Sequence, residues 1–404
     1  MTDETLAIEP TFFNNPFPTL KALQEAGPAR LVRLPDGVEW WVVTRYDDVL
    51  AGIADPRLSS AANDHMANDS ELPTTEAIVN ANNATRRSLV NIDPPDHTRL
   101  RKLVVRAFSA KRIDGLRPRV QQIADDLLDT MAAGDNETDL IEAYASMLPI
   151  RVICELLGVP EDHEALRAKT GAAFQVVKDD ESMTSMAQAF TWLMEYATQL
   201  IRDKREQPGD DLLSDLIAIQ QEDDGRLDEE ELAAMALTLL LAGHETTVQL
   251  IGNGMNALFN HPDQLNTLLT RPELIPAAVD ELLRFDGPTN PGVARYATED
   301  LTLGGVDIPR GALVLLSVAA ANRDATRFDR ADTLDVTRDA SGHLGFGHGI
   351  HYCLGTRLAR LEGSIAIGSL LRRFPDIRLA IPADQVRWRL GMVRGLTALP
   401  VALK

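Results

Sequence analysis

The chain has 404 residues, 45% of them hydrophobic, 25% charged and 5% aromatic, with two cysteines. This supplies ample material for a large core and excludes both a disulfide-stapled scaffold and a low-complexity chain. A formal net charge of −20 argues against nucleic-acid binding. Apolar residues recur at helical spacing over 18–24, 47–54, 97–108, 116–131, 140–157, 163–174, 183–204, 212–220, 227–259, 277–285 and 356–374. Strand-like runs lie at 29–34 and 40–44 around Pro35-Asp36-Gly37, then at 293–298, 301–308 and 313–317, with more in the tail 377–403. The pattern predicts a mainly α fold: a helical body over about 94–285 and 356–374, beside one small sheet built from about 29–44, 293–317 and 377–403. The polar stretch 59–87 has little periodicity, and a loop that long reads as a substrate lid.

No linker divides the chain, so residues 1–404 are expected to form a single domain. Met1–Thr5 lacks the basic and apolar blocks of a secretory signal, and the most apolar run, 232–241, falls short of the roughly 20 residues a membrane span needs. A cytoplasmic protein without membrane contact is expected. Residues 99–119 carry eight basic side chains against Asp114, which suits an anionic partner, whereas the acidic run 222–231 reads as solvated surface. Cys154 belongs to an apolar helical pattern with Met147, Ile150, Ile153 and Leu157 and is expected in the core.

The other cysteine carries the chemistry. Cys353 lies in Phe346-Gly347-His348-Gly349-Ile350-His351-Tyr352-Cys353-Leu354-Gly355, directly before the helix 356–374. A thiol at a helix N-terminus is expected to favour the thiolate. The glycines let the backbone pass close to something flat and bulky. With no second Cys or His at zinc spacing, a lone thiolate is a poor zinc site and a good axial ligand for haem iron. Phe346-x-x-Gly349-x-His351-x-Cys353-x-Gly355 resembles the haem-binding signature of the cytochrome P-450 family, with His351 in a slot often filled by Arg. The resemblance implies the P-450 fold, a helical prism with a small β region. It also implies haem b as cofactor, with Cys353 as the iron ligand and Phe346, Gly347 and Gly355 beside it.

Three further motifs support the resemblance. Ala242-Gly243-His244-Glu245-Thr246-Thr247 sits within the longest helical pattern; it opens like the zinc motif H-E-x-x-H, but Val248 fills the fifth position. The hexapeptide is similar to the family's oxygen-activation motif. Ala242 and Gly243 would then border the haem, with Gly243 leaving room for dioxygen. Thr246 would supply a hydroxyl and Glu245 protons through water, while His244 points elsewhere and is structural. Glu281-Leu-Leu-Arg284 with Arg338 is similar to the family's E-x-x-R pair and the arginine that completes it, although Leu334 stands where Phe is usual. His97, Arg101, Arg295 and His351 match basic positions that contact haem propionates in the family.

The implied activity is insertion of one atom of dioxygen into a C–H bond of a small molecule. No G-x-G-x-x-G follows a strand, so no nucleotide module is built in, and a ferredoxin with its reductase is the implied electron source. Arg99, Lys102, Arg106, Lys111, Arg112, Arg357 and Arg360 are candidates for its docking face. The wording of the motifs is similar to actinobacterial members acting on macrolides and other secondary metabolites. Expected pocket positions are Ala242, Gly243, Thr246, Val293, Met392 and Val393, which favour a bulky, largely apolar substrate for a monomeric enzyme. A peroxide-driven peroxygenase is one alternative. A haem sensor or electron carrier is another, and it would not need Glu245 and Thr246.

Overall fold

In the computed structural model, the described residues are 6–7, 12, 14–33, 37–61, 86–160, 163–174, 180–222, 227–389 and 393–404. Most of the expected lid, 59–87, and Met392 lie outside them.

The chain opens with β1 (Leu6–Ala7), α1 (Phe17–Ala26), the hairpin β2 (Ala29–Arg33) and β3 (Glu39–Val43), α2 (Tyr46–Ala54) and β4 (Leu58–Ser59). The helical body follows: α3 (Asp96–Ala107), α4 (Ala110–Gly115), α5 (Arg117–Ala133), the short β5 (Glu137–Asp139), α6 (Met147–Leu157), α7 (His163–Ala173), α8 (Asp180–Glu206), α9 (Leu212–Glu222), α10 (Glu229–Phe259), α11 (Pro262–Thr270) and α12 (Ile275–Asp286). Then come β6 (Val293–Ala297), β7 (Leu301–Leu303), β8 (Val306–Ile308), β9 (Leu313–Leu316) and the single turn α13 (Val318–Ala321). The chain closes with α14 (Thr356–Arg373), β10 (Arg378–Leu379), β11 (Trp388–Arg389), β12 (Gly395–Leu396) and β13 (Pro400–Ala402).

Three departures from the sequence reading have physical causes. The expected helix 140–157 is split into a π-helical turn, Ile141–Ala145, followed by α6. Pro149 explains the break, because its ring would collide with the carbonyl four residues earlier in a continuous α-helix. α10 starts at Glu229 rather than 227, where Asp228 and Glu231 form a reciprocal capping box, with Glu231 N–H donating to Asp228 Oδ1 at 2.7 Å and Asp228 N–H to Glu231 Oε2 at 3.0 Å. The expected single sheet is several. The main one runs β1-β2-β3-β9-β6-β4, and the tail instead builds β10-β13-β5 and the hairpin β11–β12. Tail register pairs Pro400 with Asp139 and Val401 with Thr138, so β5, which alternation could not reveal in three residues, recruits the C-terminus to the helical side.

One hydrophobic cluster fills the helical body and a second lies beneath the main sheet, around Val43, Val49, Ile53, Val314, Leu316 and Phe328. α10 runs through the first cluster. Among the described residues it alone is long and apolar enough to cross a membrane, but 78% of its most apolar window is buried in protein, which makes it a core helix. Gly252 and Gly254 let Ile141 and Leu282 press against its backbone. Cys154 is buried in α6 as expected, and burial pushes its thiol up to about 12.

Candidate active site

The loop ahead of α14 is shaped by its own backbone. Gly347 and Gly349 adopt φ of 72° and 64°, the left-handed region closed to most side chains. Cys353 N–H donates to Phe346 C=O at 2.9 Å, which closes the loop, and the Thr356 hydroxyl donates to Cys353 C=O at 2.8 Å. The Cys353 side chain is solvent-accessible, yet protein packs densely around it. That burial raises the thiol, against lowering contributions from Gly355 N–H, Thr356 and Arg101. The donors at the start of α14, Gly355 N–H and Thr356, thus act in the direction the sequence predicts, against burial.

Four basic side chains converge here. The His97 and His351 rings lie 4.3 Å apart between centroids, and Arg101 donates to Tyr352 C=O. Arg295, buried in β6, has the carbonyl of its neighbour Ala294 as a partner at 2.8 Å. The loop after β4 joins them: Ser60 Oγ lies 2.9 Å from His351 Nε2, while Asp93 accepts from Ser59 Oγ at 2.5 Å and Ser60 N–H at 3.0 Å. Burial lowers the pKa of His97, Arg101 and Arg295 and pushes His351 down to about 4, with His97 and Arg295 adding to the last fall. His97 is buried with neither ring nitrogen hydrogen-bonded. A desolvated, mutually repelling set of donors with an orphaned buried histidine calls for an anion. Two carboxylates beside a cysteine ligand meet that need, so these residues fit a haem with propionates.

α10 carries the second half of the site. Ala242 is exposed in the middle of an otherwise buried helix, and Thr246, one turn on, is half-buried with its hydroxyl donating to Ala242 C=O at 2.7 Å. Gly243 does not open this face. A Cβ there would meet Ile153 Cδ1 at 2.8 Å, so its smallness lets α6 pack closely on α10, which corrects the expectation that it makes room for dioxygen. Glu245 is also turned away from open water: it is buried, accepts from Gln249 Nε2 at 2.9 Å and is paired with Arg389 of β11. His244 is structural as expected, its Nε2 3.2 Å from Ser146 C=O and its Nδ1 3.2 Å from the Thr170 hydroxyl. Val293 sits at the edge of β6, half-buried against the second core, and Val393 lies half-buried before Arg394.

Beneath the loop, Arg284 binds Glu281 through Nε at 2.6 Å and Nη2 at 2.8 Å, and donates to the carbonyls of Asn322, Ala331 and Thr333. Arg338 reaches Glu281 Oε1 at 3.2 Å, beside Asp335 N–H at 2.9 Å. Leu334, in the slot usual for Phe, is buried. The three residues therefore come together as expected, in a network with no exposed Glu281 or Arg284 side chain.

Of the expected docking cations, four are committed elsewhere. Arg99 is held by Glu231 at 2.5 and 3.0 Å and by Asp96 at 2.9 Å, which ties α3 to the start of α10. Arg112 binds Asp215 at 2.5 Å, Arg357 binds Asp114, and Arg360 binds Asp280 at 2.8 Å. Lys102, Arg106 and Lys111 are exposed and make no ion pair among the described residues. Val105, on the same helix as Lys102 and Arg106, is exposed (50%), as are Ile350 and Tyr352 of the cysteine loop (48% and 40%).

Comparison with known proteins agrees with this geometry. The family model for cytochrome P-450 matches residues 53–377. A vitamin D(3) 25-hydroxylase from Pseudonocardia autotrophica is 46% identical over 97% of this chain and 95% of its own. A mycinamicin IV hydroxylase/epoxidase from Micromonospora griseorubida is 45% identical over 94% and 93%. The structure of the tirandamycin C-bound P-450 monooxygenase TamI superposes with a TM-score of 0.89 at 41% identity, covering 99% of this chain and all of that one. The chain belongs to the cytochrome P-450 family. It is a monooxygenase with the helical fold of that family, and enzymes of this class use a haem-thiolate cofactor, dioxygen, a small-molecule substrate and redox partners.

Proposed function

We propose that this chain, as a single catalytic domain, binds haem b and hydroxylates or epoxidises a bulky, largely apolar secondary metabolite of macrolide or polyketide type in the cytoplasm. The orphaned buried His97 beside Arg101, Arg295 and His351, next to the Cys353 loop, is the observation that carries the reading. A bound haem would supply dioxygen activation: one oxygen atom would enter the substrate and the other leave as water, with two electrons from the redox partner and two protons. Cys353 would ligate the iron, with Phe346, Gly347 and Gly355 shaping its loop, and His97, Arg101, Arg295 and His351 would hold the propionates. Ala242 sets the clearance on α10.

The Thr246 hydroxyl proton is engaged by Ala242 C=O, so the oxygen presents its lone pairs to the site and accepts a hydrogen bond there. Glu245 feeds protons after its carboxylate leaves Arg389, as a general acid must reach its acceptor. Vitamin D3, mycinamicin IV and tirandamycin C, named with the relatives, differ from one another, and the half-buried aliphatic positions here, Val293 and Val393, favour an equally bulky apolar substrate. Electrons come from a ferredoxin that docks on Lys102, Arg106 and Lys111 around Val105 and Tyr352.

The test is spectral. The purified, reduced, CO-treated protein is expected to show the far-red-shifted Soret band of haem-thiolate proteins. Cys353→Ser should abolish it and Cys154→Ser should leave it. Loss of the band in the Cys154 variant alone would overturn the assignment.

A further inference from the structure

The E-x-x-R helix α12 holds two adjacent acids, and only Glu281 is accounted for by the network under the loop. Asp280 faces a different set of groups. Its Oδ1 lies 3.2 Å from His343 Nε2 and accepts from Arg360 Nε at 2.8 Å. His343 Nδ1 accepts from Gly345 N–H at 3.1 Å, which fixes the tautomer that places the ring proton on Nε2, toward Asp280. The same two side chains flank Phe346. The His343 ring lies 5.4 Å from it between centroids, and the Arg360 guanidinium stands 5.0 Å over its face. Phe346 in turn gives its carbonyl to Cys353 N–H.

We propose that Asp280 is a positioning residue for the cysteine loop, holding His343 and Arg360 as two arms that clamp Phe346 and, through it, Cys353. This rests on the reading of Cys353 as the axial ligand. The two arms differ in exposure. His343 is buried, whereas the Arg360 side chain remains 42% exposed on the N-terminal turns of α14. Both donors use the same Asp280 oxygen, so loss of either changes the field and the position of the other. An acidic partner that drew Arg360 outward would therefore loosen one arm of the clamp. The Arg360 arm is too solvated to act mainly through stability; the clamp acts on orientation of a ligand loop, and partners of metal-ligating groups typically change metal affinity 10–100-fold when removed.

The experiment uses the haem-loaded full chain and three readouts: the rate of haem transfer to excess apomyoglobin, the Soret position of the reduced, CO-treated protein, and the reduction potential. Asp280→Asn keeps shape and removes charge. It is expected to speed haem loss about 10–100-fold and to divert part of the CO-treated protein from the far-red-shifted band, with far-UV dichroism unchanged. Asp280→Glu, which retains the charge, should lie between this variant and the wild type. Asp332→Asn, at a surface pair with Lys21, is the neutral control. Should Asp280→Asn fail to yield holoprotein, Arg360→Gln removes only the exposed arm and is held to the same criteria.

Haem loss within twofold of wild type, with an unmoved band and potential, would overturn the clamp. So would a fall in Tm with the spectrum and potential unmoved, since that is what a merely structural contact gives. A wild-type protein lacking the shifted band would instead sink the axial-ligand reading itself.

Discussion

Thr246 and Glu245 sit one position apart on α10 and should fail differently. Thr246→Ala removes an acceptor at the site and the bond to Ala242 C=O. Reducing equivalents should still be consumed but leave as hydrogen peroxide, with product per equivalent falling several-fold; a tightly coupled variant would show that this face does not border the reaction. Glu245→Gln keeps the contacts to Gln249 and Arg389 and loses the acid, so consumption itself should slow by about 10²–10⁴-fold. Both rates are read as cofactor oxidised and product formed.

Glu362 of α14 looks in the sequence like one more helix-surface acid. It is fully buried with neither oxygen hydrogen-bonded, and burial raises its pKa well above the ordinary value. Because the folded carboxyl binds its proton more tightly than the unfolded one, stability falls as pH rises from about 4.5 toward the folded pKa, at about 1.4 kcal/mol per pH unit. Glu362→Gln should therefore leave Tm near pH 4 little changed and raise it at pH 8. Equal effects at both pH values would mean that the carboxyl is not protonated in the fold.

At the scale of elements, close packing on α10 makes its own prediction. Gly243→Ala places a methyl against Ile153, and overpacking of this kind costs about 1–3 kcal/mol. Ile153→Val alone creates a small void, but combined with Gly243→Ala it should recover part of the loss, a coupling that urea unfolding of the four proteins in the cycle measures. Additive effects would place the contact elsewhere. The Glu281 network joins α12 to the segment 322–338, and removing one partner of a buried charge pair costs roughly 3–5 kcal/mol. Glu281→Ala should accordingly give haem-poor, aggregating protein. Full haem content with turnover selectively lost would make the pair catalytic instead.

Over the whole molecule, charge is divided: the chain is strongly acidic, yet Lys102, Arg106 and Lys111 are exposed cations with no ion pair among the described residues. Reversing all three should slow reduction by an acidic ferredoxin and flatten its salt dependence, with substrate affinity unchanged. Reversing Arg99 should instead lower stability, since its partner is Glu231 rather than another protein. Unaltered reduction in the triple variant would put docking on another face.

The sequence determined the helices with long amphipathic periods, the loop glycines, and the pairing of Glu281 with Arg284, because each depends on residues within a turn or two of one another. Fixed spacing around Cys353 and within 242–247 likewise made the enzyme class legible, since local motifs survive without any knowledge of the fold. Contacts between distant segments were decided only by tertiary structure. Arg389 reaches Glu245 across 144 residues, Asp280 meets His343 and Arg360 across 63 and 80, and β5 meets the C-terminal strand across about 260. No periodicity signals such partners, because a side chain's charge is visible in the sequence while the direction in which it is desolvated is set by what packs over it. For that reason Glu245 reads as open to water and Gly243 as space for a ligand in the sequence, whereas in the fold the hairpin β11–β12 and helix α6 cover them.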